Sequence, residues 1–123
     1  MQRKKCEHTE QVSLFDWCHA NKSRHPQLDL IFAIPNGGLR NKAVGKKLKM
    51  EGVKAGVPDI FLAVPKGEKH GLFIELKYGT NKPTQTQLDW LQKLRAEGYE
   101  AQVCWGFEQA RDCINNYLGL ETQ

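Results

Sequence analysis

The apolar positions of the chain change period several times, and each change marks an element. From about Glu7 to Arg24, Leu14, Trp17 and Cys18 recur at helical spacing with Phe15 beside them, which predicts a helix with one apolar face, ended by Pro26. Leu28 to Ile34 is mostly apolar, β-branched or aromatic and reads as a buried strand, broken by the turn Pro35-Asn36-Gly37-Gly38. Asn41 to Glu51 sets Val44, Leu48 and Gly45 on one side and lysines elsewhere, a short amphipathic helix stopped by Gly52. Gly56 to Leu62 and Leu72 to Lys77 are short runs rich in Val, Ile, Leu and Phe, separated by Pro65 to Gly71; together they read as a hairpin. Thr84 then caps a helix running to about Glu97, with Leu88, Leu91, Leu94 and Trp90 facing inward and Gly98 ending it. Ala101 to Trp105 is a strand. Phe107 to Leu118 is a closing helix with Ala110, Cys113, Ile114, Tyr117 and Leu118 inward.

The strand at Leu72, the helix at Thr84 and the strand at Ala101 form a β-α-β unit, so the second hairpin strand and the last strand are expected to be parallel. The fold class is therefore α/β in the broad sense (α+β): a mixed sheet of about four strands flanked by helices. A length of 123 residues suits one domain spanning 1–123.

Composition narrows the function classes. A hydrophobic fraction of 40% and a charged fraction of 26% are those of a soluble globular protein. No apolar run reaches membrane-spanning length, and the charged start Met1-Gln2-Arg3-Lys4-Lys5 does not resemble a signal peptide. Cys6, Cys18, Cys104 and Cys113 form no C-x-x-C pair, which argues against a zinc finger or a disulfide framework and places the chain in a reducing cytoplasm. The net charge of +4 is modest, but Arg40, Lys42, Lys46, Lys47, Lys49 and Lys54 cluster against the single acid Glu51. Such a cluster is either a solvated helix face or the footprint of a polyanion, nucleic acid above all. The glycines after Asn36 form a turn whose amides can also approach a phosphate.

The hairpin carries the chemistry. Pairing its strands about Glu68 sets Asp59 opposite Lys77 and Phe61 opposite Glu75, so Asp59, Glu75 and Lys77 share one face while Ile60, Leu62, Ile74 and Leu76 fill the other. Two carboxylates and an ammonium on an apolar hairpin are costly to desolvate unless paired or bound to a metal. A structural salt bridge, such as Lys77 with Asp59, is the simplest alternative. Upstream, the inward stripe of the first helix begins with carboxylates, Glu7 and Glu10, which also suit a helix N-terminus for dipole reasons alone.

Gly56-Val57-Pro58-Asp59 followed by Glu75-Leu76-Lys77 resembles the PD-(D/E)-x-K nuclease motif. The chain as a whole resembles the virus-type replication-repair nuclease (VRR-NUC) domain family. The similarity runs through a helical Glu, the Ile34-Pro35-Asn36-Gly37 turn, Leu48-Lys49 leading into the Asp59 motif, the Glu-x-Lys strand, and Pro83 with Gln87. The resemblance implies a restriction-endonuclease-like core. It implies Mg2+ or Mn2+ held by Asp59, Glu75 and the main-chain carbonyl of Leu76, with Lys77 positioning water and Gln87 bracing Lys77 or the phosphate. The family's helical carboxylate falls on Glu7, counted from Leu14 and Trp17, with Glu10 as the alternative. DNA-binding candidates are Asn36, Gly37, Arg40, Lys42, Lys46, Lys47, Lys49 and Lys54. The implied function is a metal-dependent DNA endonuclease of a bacterial or phage-infected cell, resolving Holliday junctions as a homodimer. A nicking or flap endonuclease, or a non-catalytic nucleic-acid-binding module, are the alternatives.

Overall fold

In the computed structural model, which describes residues 5–35 and 42–120, the order is α1 (Glu7–Asn21), a 3-10 turn (Pro26–Leu30), β1 (Ile31–Ala33), α2 (Lys42–Met50), β2 (Ile60–Leu62), β3 (Leu72–Lys77), α3 (Gln85–Ala96), β4 (Glu100–Trp105) and α4 (Gly106–Leu118). The four strands form one sheet in the order β1-β2-β3-β4. β1–β2 and β2–β3 are antiparallel, and β3–β4 is parallel, as the β-α-β connection requires. The fold is thus α+β with a mixed four-stranded sheet.

Alternation along the strands decides which side chains are buried against which helices. Ile60, Leu62, Leu72, Ile74 and Leu76 are at most 1% exposed and join Leu14 and Cys18 of α1 and Ala110, Ile114 and Leu118 of α4 in the main core. Burial of this apolar surface is the principal stabilising term. Tyr117 of α4 adds a directional tie by donating its hydroxyl to the Val64 carbonyl at 2.7 Å. α3 meets β4 and, through Trp90 and Leu94, shares a groove with Phe73 on the opposite sheet face.

Several sequence expectations need correction. The hairpin does not pair about Glu68. Phe61 faces Phe73 and Ile60 faces Ile74, a register two residues away from the one expected. Lys66 and Lys69 exchange backbone hydrogen bonds of 2.9 Å around a tight Gly67-Glu68 turn. Residues 63–65 then oppose only residues 70 and 71, and the extra residue lies on the first strand's side. Because the displacement is an even number of residues, it leaves every side chain on its expected face. Leu28 to Ile34 is not a buried strand: its first half is a 3-10 turn started by Pro26, and β1 is a three-residue edge strand with Phe32 49% exposed. α1 ends at Asn21, before Arg24. Leu88 of α3 and Val44 of α2 point outward, leaving Leu91 as the buried anchor of α3 and Gly45 as the buried position of α2.

Candidate active site

Asp59, Glu75 and Lys77 converge at one end of the β2–β3 pair. β3 is flanked by strands on both sides, and Glu75 on it is 1% exposed and Lys77 8% exposed. Asp59, just before β2, accepts the Leu76 amide N–H on Oδ2 at 2.9 Å. The ion pair in the site joins Lys77 Nζ to Glu75 Oε2 at 3.8 Å. The Lys77–Asp59 pair suggested by the expected register is therefore not the one formed. Glu75 Oε1 is buried with no hydrogen-bond partner among the described residues.

Such an orphaned carboxylate oxygen is costly to leave ionised. Burial, followed by a hydrogen bond that the protonated Glu75 carboxyl donates to Asp59 and by the charge of Asp59, raises the Glu75 carboxyl from its usual 4.5 to about 9; Lys77 opposes the rise and Glu7 adds to it. The local balance thus contains more negative charge than Lys77 offsets.

The loop entering Asp59 is held close to α3. A Cβ on Gly56, whose φ is +89°, would lie 2.5 Å from Thr86 Cγ2 and 3.0 Å from Trp90 Cδ1. Only glycine allows that approach, and the buried Pro58 then fixes the chain ahead of Asp59.

The two helical carboxylates have different partners. Glu7 Oε2 accepts a hydrogen bond from Asn81 Nδ2 at 3.1 Å, and its charge reaches Glu75. Glu10 Oε1 accepts the Phe107 N–H at 3.2 Å, satisfying one of the free amides at the start of α4. Glu7 is thus near enough for its charge to act on Glu75, while Glu10 joins α1 to α4. Asn81 was not evident in the sequence, since 74 residues separate it from Glu7 and no motif includes it. Its carbonyl also receives the Trp105 indole N–H at 2.7 Å, which fixes the loop after β3.

Gln87 forms a reciprocal cap with Thr84. Its Oε1 accepts the Thr84 N–H at 2.9 Å, and its own N–H donates to Thr84 Oγ1 at 3.2 Å. Among the described residues no hydrogen bond joins it to Lys77. Lys46, Lys47, Lys49 and Lys54 are exposed on and after α2, and Lys42 opens that helix. Asn36, Gly37 and Arg40 lie outside the described residues.

The donor set is suited to a hard divalent cation. Asp59 and Glu75 provide carboxylate oxygens, one of them unpartnered, and the Leu76 carbonyl belongs to the residue between Glu75 and Lys77. No three His, Cys, Asp or Glu side chains converge among the described residues, so most coordination positions would fall to water and substrate oxygens, as Mg2+ tolerates.

The buried Glu75 and Lys77 and the half-buried Asp59 thus meet at the end of a mixed sheet, beside a glycine-dependent loop, an arrangement of the kind a nuclease-like fold presents. The VRR-NUC domain model matches residues 3–108. A solved structure of a VRR-NUC domain protein aligns with a TM-score of 0.81 at 31% sequence identity, covering 97% of this chain and 93% of that one. No curated protein gives a significant match. The chain belongs to the VRR-NUC domain family.

Proposed function

We propose that this protein is a Mg2+- or Mn2+-dependent DNA endonuclease acting in the cytoplasm on branched DNA, four-way junctions included, as a homodimer. The observation that carries the proposal is the buried, unpartnered Glu75 Oε1 beside Asp59 and Lys77. A bound divalent ion would polarise a phosphoryl oxygen and lower the pKa of an attacking water. Asp59 and Glu75, with the Leu76 carbonyl, would hold it. The Leu76 N–H already fixes the Asp59 carboxylate, so little rearrangement is needed. The Lys77 ammonium orients the water and offsets charge on the phosphate in the transition state. Glu7, braced by Asn81, closes the acidic side of the site. Gln87, its oxygen committed to the helix cap, has its amide nitrogen left to donate to a phosphate.

Paired incision of a symmetric junction needs two sites, which favours a dimer. Among the described residues β1 is the outer strand of the sheet, and it exposes Phe32, with Leu30 beside it, an apolar rim suited to a second copy. A pure binding module has no use for a buried, unpartnered carboxylate beside a second acid. The experiment is a cleavage panel of four-way junction, 5′ flap, 3′ flap, single strand and duplex in Mg2+ or Mn2+, using wild type and Glu75→Ala. Metal-dependent cutting by wild type alone is expected. Equal cutting by both proteins, or none by either, refutes the proposal.

A further inference from the structure

Beside the acidic site lies a groove of about 520 Å3 between the stretch 51–57 and α3. Phe73 and Trp90 supply aromatic surface, Leu94, Val53 and Val57 supply aliphatic walls, and the charged pair Glu51 and Lys54 stands on the 51–57 side. These apolar side chains are only partly buried, whereas their neighbours on the other sheet face are fully buried. Phe73 is fixed in place: its ring stacks on Phe61 with centroids 4.2 Å apart and meets Tyr99 edge-on at 5.3 Å. A ring so held loses little conformational entropy on binding a planar partner.

The groove is continuous with the site. Phe73 precedes Glu75 by two residues on the same face of β3, one side-chain step of about 7 Å. Val57 precedes Asp59 by two residues, and Ile34, also at the groove, donates its N–H to the Asp59 carbonyl at 2.7 Å.

We propose that this groove is a subsite for one unpaired nucleobase of the strand being cut, next to the scissile phosphate. The proposal rests on the nuclease reading above and specifies the substrate for that same site. Two observations and one constraint of DNA structure select the occupant. Aromatic walls stack any base without reading its sequence. Lys54, exposed on the same wall as Glu51, offers a cation to the phosphate that accompanies the base. Duplex DNA keeps its bases paired inside the helix, so an apolar groove adjoining the cutting site serves only a nucleotide that is already unpaired or has been extruded. The groove is large enough for a nucleoside. Branched DNA offers such a nucleotide at low cost, whereas continuous duplex must first be opened.

The test places a single abasic residue at successive positions around the cut in a flap substrate. Affinity is read by fluorescence anisotropy with Asp59→Asn protein, and rate with wild type. Abasic substitution at one position is expected to weaken binding about 5- to 100-fold. In a Phe73→Leu background the difference between base and abasic DNA should collapse, whereas Lys54→Ala should weaken both substrates equally. Val53→Asp, at the groove wall, repeats the first arm should Phe73→Leu fold poorly. An abasic penalty unchanged by Phe73→Leu and Val53→Asp, with DNA still cut, overturns the subsite and leaves the nuclease reading intact. Loss of self-association in these variants with an unchanged abasic profile assigns the groove to a second copy and equally overturns it. Because anisotropy needs no cutting, failure of the nuclease reading is seen separately.

Discussion

Replacing Glu75 with glutamine tests the energetics of the site independently of catalysis. The carboxyl is 1% exposed, has one oxygen without a partner, and is raised from 4.5 to about 9. A native pKa above the unfolded one means that the folded chain binds the extra proton between these values, so this group's contribution to stability is complete below pH 4.5 and is lost as pH rises toward 9. At about 1.4 kcal/mol per pH unit the gap sets an upper bound of about 6 kcal/mol, a large part of a small domain's stability. Relaxation, proton sharing with Asp59 and the lost Lys77 ion pair all reduce it. In chelator at pH 8, Glu75→Gln should therefore stabilise the protein by about 1–2 kcal/mol, raising Tm by roughly 4–10 °C. The gain should vanish near pH 4. Mn2+ should raise the Tm of wild type but not of the variant, because the cation supplies what Glu75 Oε1 lacks. Thermal melts at pH 4, 6 and 8, with and without Mn2+, decide the matter. A variant that melts lower than wild type at pH 8 in chelator would refute the reasoning, since it would show the carboxylate to be satisfied.

Two further predictions follow from side-chain placement. Glu7→Gln should lower the cleavage rate with little change in Tm, whereas Glu10→Gln should cost about 1 kcal/mol of stability by weakening the cap on α4; melts and single-turnover rates on both variants check this, and the reverse pattern would return Glu10 to the site. Charge removal at Lys46, Lys47 and Lys49 together should weaken DNA binding and flatten its dependence on salt while leaving Mn2+ affinity unchanged. Titrations at several salt concentrations measure it, and an unchanged slope would make α2 a solvated face.

The sequence made the order of elements and the face of the sheet bearing Asp59, Glu75 and Lys77 legible, because strand alternation survives an even displacement of register. It did not reveal the register itself. The asymmetric turn at Gly67-Glu68 depends on local backbone geometry that composition leaves open. Leu28-Asp29-Leu30 has the composition of a strand, yet Pro26 starts a 3-10 turn there, and of the stretch only Leu28, within that turn, and Ile31 reach the core. The choice between Glu7 and Glu10 was open in sequence because both lie on the inward side of α1. Their hydrogen-bond partners, Asn81 for Glu7 and Phe107 for Glu10, lie far along the chain and differ. The partly exposed ring cluster of Phe32, Phe61, Phe73 and Tyr99 was equally hidden, since its members come from three strands and the turn before β4.

The central claim is that Asp59, Glu75 and Lys77 together cut phosphodiester bonds with a divalent cation. The most direct measurement is the single-turnover cleavage rate of a flap substrate across a Mn2+ titration, for wild type and Asp59→Asn. The expected result is a wild-type rate that rises with Mn2+ and is abolished by chelator, and a variant slower by at least about a hundredfold at every concentration. Cleavage that persists in chelator, or an Asp59→Asn rate equal to that of wild type, would contradict it.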